Sequence, residues 1–311
     1  MRIAIVGTGG VAQRHLGVLR HLPEVEVAAH VSSDRARAES QSAHWGGHAY
    51  TDRTEMLDRE RPDAVWLCIT PDRHGPPEHA LLERGIPFFV EKPLSVDLAT
   101  AEALSEEISR AAAIVAVGYK FRALDTLARV RSLLEETPPR MVLGAWHDAL
   151  PPPLWWRQSN RGGGQMVEQA THLVDLARLL LGEASVVSAL AAQWPRDDAL
   201  GSDVPDVTAA TLRFGEVPAV FTATTLLRAR IAIHLQLICE GRSLTITEQQ
   251  LLIETGRSTQ TIPTTLDPFQ EEDRVFVEAV RAQNPAAVLS TYADALQTHR
   301  LCCQIRDLAA G

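Results

Sequence analysis

A chain of 311 residues, 45% hydrophobic and 22% charged, holds ample core material and exceeds the roughly 250–300 residues at which a single core stops growing. Two domains are therefore expected, over residues 1–120 and 121–311, with the last helix free to pack on both. The net charge of −9 argues against nucleic acid or an anionic membrane as a main partner, since both select clustered Lys and Arg.

No apolar run reaches the roughly 18 residues of a membrane span. The first residues run straight into a strand rather than a leader peptide, so a cytoplasmic location is expected. Cys68, Cys239, Cys302 and Cys303 have no zinc-ligand spacing, and reduced buried thiols with no metal are expected.

Arg2–Val6 is almost wholly apolar, as a strand buried on both faces should be. Gly7-Thr8-Gly9-Gly10-Val11-Ala12 follows, then a helical pattern through Leu16, Leu19 and Leu22. This G-x-G-x-x-A turn between strand and helix allows close backbone approach to a dinucleotide pyrophosphate at the helix N-terminus. A second strand, Val25–Val31, ends in Ser32-Ser33-Asp34-Arg35. An acid at that strand end would accept the ribose hydroxyls of NAD and repel a 2′-phosphate. Ser32 with Arg35 and Arg37 instead gives a slight preference for NADP. A shift of one or two residues would make Asp34 the ribose ligand and reverse that preference.

A short helix over Thr54–Glu60 precedes the strand Ala64–Ile69, which runs into Thr70-Pro71-Asp72-Arg73-His74, a wall for the nicotinamide. A helix over Pro77–Arg84 leads to the strand Phe88–Val90, which stops at Glu91-Lys92-Pro93. Alone, Lys92 reads as a solvated strand end. A further helix, 98–112, precedes the strand 114–117 and Gly118-Tyr119-Lys120-Phe121-Arg122. The alternation implies a doubly wound parallel sheet with right-handed crossovers. Lys92 then leaves the same sheet edge as the glycine loop, where such sheets bind ligands, and becomes a candidate catalytic residue. Tyr119 and Arg122, near that edge, are candidate substrate ligands.

Residues 125–134 read as a helix that bends at Pro138-Pro139 into a second domain, whose first strand is Met141–Trp146. Pro151-Pro152-Pro153-Leu154-Trp155-Trp156-Arg157 follows. Trp155 and Trp156 suit the apolar faces of sugar rings, and Arg157 a hydroxyl or carboxylate; the other reading places the indoles in core or an interface. From Gln165 a helix is expected as far as Gly182, with Leu173, Leu176, Ala177 and Leu180 on its apolar stripe. Glu168, His172 and Asp175 then share an adjacent face, and His172 beside carboxylates, after Gly162-Gly163-Gly164, suits acid–base chemistry. Successive strands from Val186 to Thr255 imply an open, largely antiparallel sheet, and helices are expected over Phe269–Ala282 and Thr291–Leu308.

Taken in order, Gly7-x-Gly9-x-x-Ala12, Thr70-Pro71 with His74, Glu91-Lys92-Pro93 and the stretch Gly162–Asp175 resemble the motifs of the Gfo/Idh/MocA family of glucose-fructose oxidoreductases and inositol dehydrogenases. That resemblance implies an N-terminal Rossmann domain and a C-terminal α/β domain whose sheet serves substrate binding and oligomer contacts. It implies hydride transfer between NAD(P) and a sugar, inositol or related hydroxy compound, with a homodimer or homotetramer expected. Lys92 becomes the active-site lysine and His172 the proton donor or acceptor. Gly7, Gly9, Gly10, Val11, Ala12, Ser32, Ser33, Arg35, Thr70, Pro71, His74, Glu91 and Lys92 become the cofactor set. Lys92, Glu168 and His172 join Tyr119, Arg122, Trp155, Trp156 and Arg157 around the substrate. One departure is that the family has Asp four residues before the His, where this chain has Glu168, a carboxylate one methylene longer. The rival reading is a cofactor-binding sensor without turnover; a third is reduction of a C=C or C=N bond.

Overall fold

The computed structural model describes residues 1–311. They form two compact units, one of Met1–Ser95, Ala99–Ala123 and Pro268–Leu296, the other of Val96–Leu98, Leu124–Asp267 and Gln297–Gly311. The division thus differs from a single cut after residue 120, because the segment 268–296 belongs with the N-terminal residues.

In the first unit, β1 (Arg2–Val6), β2 (Glu26–Val31), β3 (His48–Tyr50), β4 (Ala64–Leu67), β5 (Phe88–Val90) and β6 (Val115–Val117) alternate with α1 (Gly10–Leu19), α2 (Arg35–Trp45), α3 (Arg53–Glu60), α4 (Pro76–Leu82) and α5 (Leu98–Ala111). The sheet order is β3-β2-β1-β4-β5-β6, parallel throughout. The order reverses direction between β1 and β4, which makes a topological switch point at their carboxyl ends. Val31, Val6, Leu67, Val90 and Val117 lie in one register row. The residues that follow this row are Ser32, Gly7, Cys68, Glu91 and Gly118, so register alone brings five chain segments to one sheet edge.

The second unit begins with α6 (Leu127–Glu136) and β7 (Pro139–Ala149), followed by the short helices α7 (Ser159–Gly162) and α8 (Gln165–Glu168), then α9 (Thr171–Leu181). Seven strands follow: β8 (Ala184–Ala192), β9 (Val207–Phe214), β10 (Val217–Leu227), β11 (Ala232–Cys239), β12 (Arg242–Ile246), β13 (Gln250–Thr255) and β14 (Ser258–Pro263). Their order is β14-β13-β12-β11-β7-β10-β9-β8, antiparallel except where β10 runs beside β7. α9 lies against β7 and β11. The alternating burial of β10 and β11 reflects one covered face. Gly144 in β7 is required by this packing, since a Cβ there would lie 2.3 Å from the ring of Phe221.

The chain closes with α10 (Pro268–Arg281) and α11 (Tyr292–Ala309). α10 belongs to the first unit because its apolar face, Phe276, Val277, Ala279 and Val280, shares a core with Ile3, Ile5, Leu16 and Trp66. Phe276 meets both Trp66 and Phe89 edge-on at 5.0 and 5.7 Å.

Candidate active site

At the switch point of the first unit the chain leaves β1 through Gly7, whose φ is +116° and where a Cβ would lie 2.0 Å from the carbonyl oxygen of Cys68. Only glycine fits there. At Gly9 and Gly10 a Cβ would meet nothing within 4 Å, so these positions leave space outside the protein. Gly9 caps α1 with no side-chain hydrogen bond, and the first turn carries no acid. The free amide N–H groups of that turn, with Val11 42% exposed beside them, fit a pyrophosphate.

Ser32 is the first residue after β2; its Oγ stands 3.3 Å from Thr8 Oγ1 and accepts from the Asp34 amide at 3.2 Å. Asp34 is committed to capping α2, accepting from the Arg37 amide at 3.2 Å. Ser33 and Arg35 are exposed, with Arg35 paired to Glu39 at 2.8 Å. Thr70 follows β4 with its Oγ1 buried and without a hydrogen-bond partner, an orphan that a ribose or amide group would satisfy. Pro71 opens a 3₁₀ turn over Pro71–Arg73. His74 is turned inward against Glu78, which also accepts from the Gly75 amide at 2.7 Å. Burial opposes the Glu78 charge, but His74 outweighs it and holds the carboxyl below its ordinary range. His74 therefore fixes the loop that carries Thr70.

Glu91 is buried and Lys92 half-buried, and the Lys92–Pro93 peptide is cis. Gly118, one strand over, leaves room for the Glu91 carboxylate, since a Cβ there would lie 2.7 Å from Oε1. Arg122 is turned inward. Its guanidinium is spent inside the unit, donating to the Leu289 carbonyl at 3.2 Å and pairing with Asp294. It also lies 6.0 Å over the ring of Tyr119, itself only 1% exposed. Both side chains are buried at the turn after β6.

In the second unit, Gly163 and Gly164 take φ of +78° and +85° and reverse the chain into α8. The expected single helix is interrupted at Gln169–Ala170, so Glu168 ends α8 while His172 lies in the first turn of α9. Glu168 is held from the side: Trp156 Nε1 donates to its Oε2 at 2.8 Å. Trp156 is 2% exposed, in keeping with the reading that places it in the core, and it positions the carboxylate. Trp155 remains half-buried. The His172 ring stacks on Trp146 at 5.8 Å and 16°. Asp175 faces the interior, where it accepts from Thr298 Oγ1 at 2.9 Å. Trp146 Nε1, Arg157 Nε and Gln165 Oε1 are buried without hydrogen-bond partners. Three unmatched polar atoms among residues flanking Glu168 and His172 suit a ligand rich in hydroxyl groups.

Two family models match this architecture. Residues 1–119 match an oxidoreductase family with an NAD-binding Rossmann fold, and residues 137–245 match the Gfo/Idh/MocA C-terminal domain. The chain belongs to the Gfo/Idh/MocA oxidoreductase family. Within it, the chain is 28% identical to myo-inositol 2-dehydrogenase of Thermotoga maritima over 59% of its length and 55% of that enzyme's. It is 25% identical to an uncharacterised Schizosaccharomyces pombe protein, over 94% of its own length and 80% of that protein's. Among solved structures, the 3-ketoreductase KijD10 of Actinomadura kijaniata, in complex with NADP and TDP-benzene, superposes with a TM-score of 0.87. It is 21% identical, over 99% of this chain and 97% of that one, a likeness of fold.

For this Gfo/Idh/MocA member, the sequence reading missed His15, Trp66 and Asp273, a buried cluster joined to Glu91 through His15. Their signal was slight, being one histidine on an apolar helix face and one acid in a late helix.

Proposed function

We propose that this Gfo/Idh/MocA enzyme moves a hydride between NAD(P) and a secondary alcohol or ketone of a sugar, inositol or related polyhydroxy compound. The observation that carries the reading is the register row: Lys92 leaves the same sheet edge as the uncapped glycine loop that fits a pyrophosphate. NAD(P), when bound, supplies the hydride acceptor or donor. In the oxidising direction His172 serves as the proton acceptor, and Lys92 as a hydrogen-bond donor that offsets developing alkoxide charge. Glu168, held by Trp156, accepts from a second hydroxyl. Ser32 at the end of β2, with Asp34 spent on its helix cap, favours NADP over NAD. A cytoplasmic homodimer or homotetramer is the accompanying expectation.

Positioned acid–base groups contribute about 10²–10⁴ in rate. Lys92→Met and His172→Ala should therefore each lower kcat by about that factor while NADPH binding, read by nucleotide fluorescence, is little changed. The assay is reduction of NADP and NAD across a panel of sugars and polyols. Parent-like turnover in both variants defeats the assignment, and cofactor binding with no reduction by any panel member favours a sensor.

A further inference from the structure

His15 lies on α1 and is completely buried. Both ring nitrogens face carboxylates. Nδ1 lies 2.9 and 3.0 Å from the two oxygens of Asp273, and Nε2 lies 3.0 Å from Oε1 of Glu91. Trp66 Nε1 donates to Asp273 at 2.8 Å, and Phe89 and Phe269 hold the imidazole edge-on at 5.1 and 5.4 Å. A neutral imidazole has a single N–H, so two ionised carboxylates can be served only by an imidazolium. Burial opposes that charge, but the Asp273 charge and the hydrogen bonds that His15 donates to Asp273 and Glu91 outweigh it and hold His15 well above its ordinary value. Neighbouring Glu272 has both carboxylate oxygens buried without hydrogen-bond partners. Burial and the adjacent Glu91 raise its carboxyl well above the usual range, which favours its neutral form.

The position of this cluster matters more than its charge. Glu91 is bonded directly to Lys92, and its carboxylate is confined between His15 and Gly118. Of the 30 Lys and Arg residues only two are lysines, Lys92 and Lys120, which leave the neighbouring strands β5 and β6. Lys120 lies 4.8 Å over the same Phe269 ring that packs on His15. An apolar side chain of similar volume would fill the His15 space without the desolvation cost of ions, so packing alone does not call for an ionic clamp.

We propose that His15 is a positioning residue: clamped between Asp273 and Glu91, it fixes the backbone from which Lys92 projects and ties its aim to the helix that begins at the glycine loop. The inference rests on the reading of Lys92 as the reacting lysine. Its test uses no substrate. The full-length protein with NADPH bound is treated with acetic anhydride, and acetylation of Lys92 is measured by mass spectrometry relative to the Met1 amine. In His15→Ala, release of the corner should raise the Lys92-to-Met1 ratio by about threefold or more, as local opening exposes a confined group. Millimolar imidazole should return the ratio to the parent value. Pyrazole, of the same shape but uncharged at neutral pH, should not. An unchanged ratio, or equal rescue by pyrazole, overturns the proposal. If His15→Ala lacks the parent's circular dichroism, Asp273→Asn, which keeps the shape and removes a charge, should show the same rise, and an unchanged ratio there also overturns it. Turnover of Lys92→Met tests the underlying reading separately. Parent-like turnover in that variant removes the role of Lys92, whereas lost turnover with unchanged labelling in His15→Ala removes only the role of His15.

Discussion

In the first unit, five strand ends fall in one register row, and the residues after it are placed by backbone pairing. In the second, Glu168 and His172 flank a break between two helices and are placed by indoles, Glu168 by a hydrogen bond from Trp156 and His172 by a stack on Trp146. A site fixed by backbone tolerates many side-chain changes but fails where a glycine is obligatory. A site fixed by side chains can lose its geometry through one substitution and still fold.

The largest test of that contrast is Gly7→Ala. Its Cβ would stand 2.0 Å from the Cys68 carbonyl, at a φ of +116°. Overpacking against backbone combined with a conformation reserved for glycine should cost about 3 kcal/mol or more. NADPH binding should be lost, and the melting transition that NADPH raises in the parent should fall sharply. Parent-like cofactor affinity in this variant would break the contrast at its stronger side.

A smaller effect is expected from Trp156→Phe, which keeps an aromatic ring and removes only the donor to Glu168. Hydrogen bonds to charged groups contribute about 1.5–3 kcal/mol, so turnover should fall roughly tenfold or more through a misplaced carboxylate. NADPH affinity should stay at the parent value. Retained turnover would mean that Glu168 is held by α8 itself and that the second site is also placed by backbone.

These differences explain what the sequence disclosed. The glycine loop, the strand before Glu91-Lys92-Pro93 and the alternation of the second sheet are local patterns, and each was legible. α2 was not, because it buries only Ala38 and Gln41 and so shows no apolar stripe. The interruption at Gln169–Ala170 was hidden because no glycine or proline marks it in the sequence. Arg122 looked available to substrate until folding supplied Asp294. The His15 cluster was out of reach, its members lying 76 and 258 positions apart in the chain.

The smallest expected effect is a pH dependence that belongs to the first unit. His15 is held above its ordinary value, and burial also raises Asp273 and Glu272. Each of these groups keeps its proton more firmly in the native state than in the unfolded chain. Their contribution is therefore complete below the ordinary range of each group and is lost as pH rises towards the raised native values. Among the other groups facing His15, burial pushes the Cys68 thiol up to about 12, so it stays neutral through this window. Glu91 and Lys120 also face the cluster. Glu78 and Glu60 are held low instead, Glu78 by His74 and Glu60 by Tyr50 and His48 against the opposing effect of burial, so their contributions fade only on acidification. In the second unit, burial lowers His234, which likewise loses stability towards acid. Between about pH 7 and 9 the NADPH-sensitive melting transition should fall by a few degrees, about 2–4 °C for each kcal/mol lost. His15→Gln, which cannot hold the proton, should melt lower than the parent at pH 7 and lose less on going to pH 9. Parallel falls in the two proteins, followed by calorimetry, would show that the alkaline loss arises from groups other than His15.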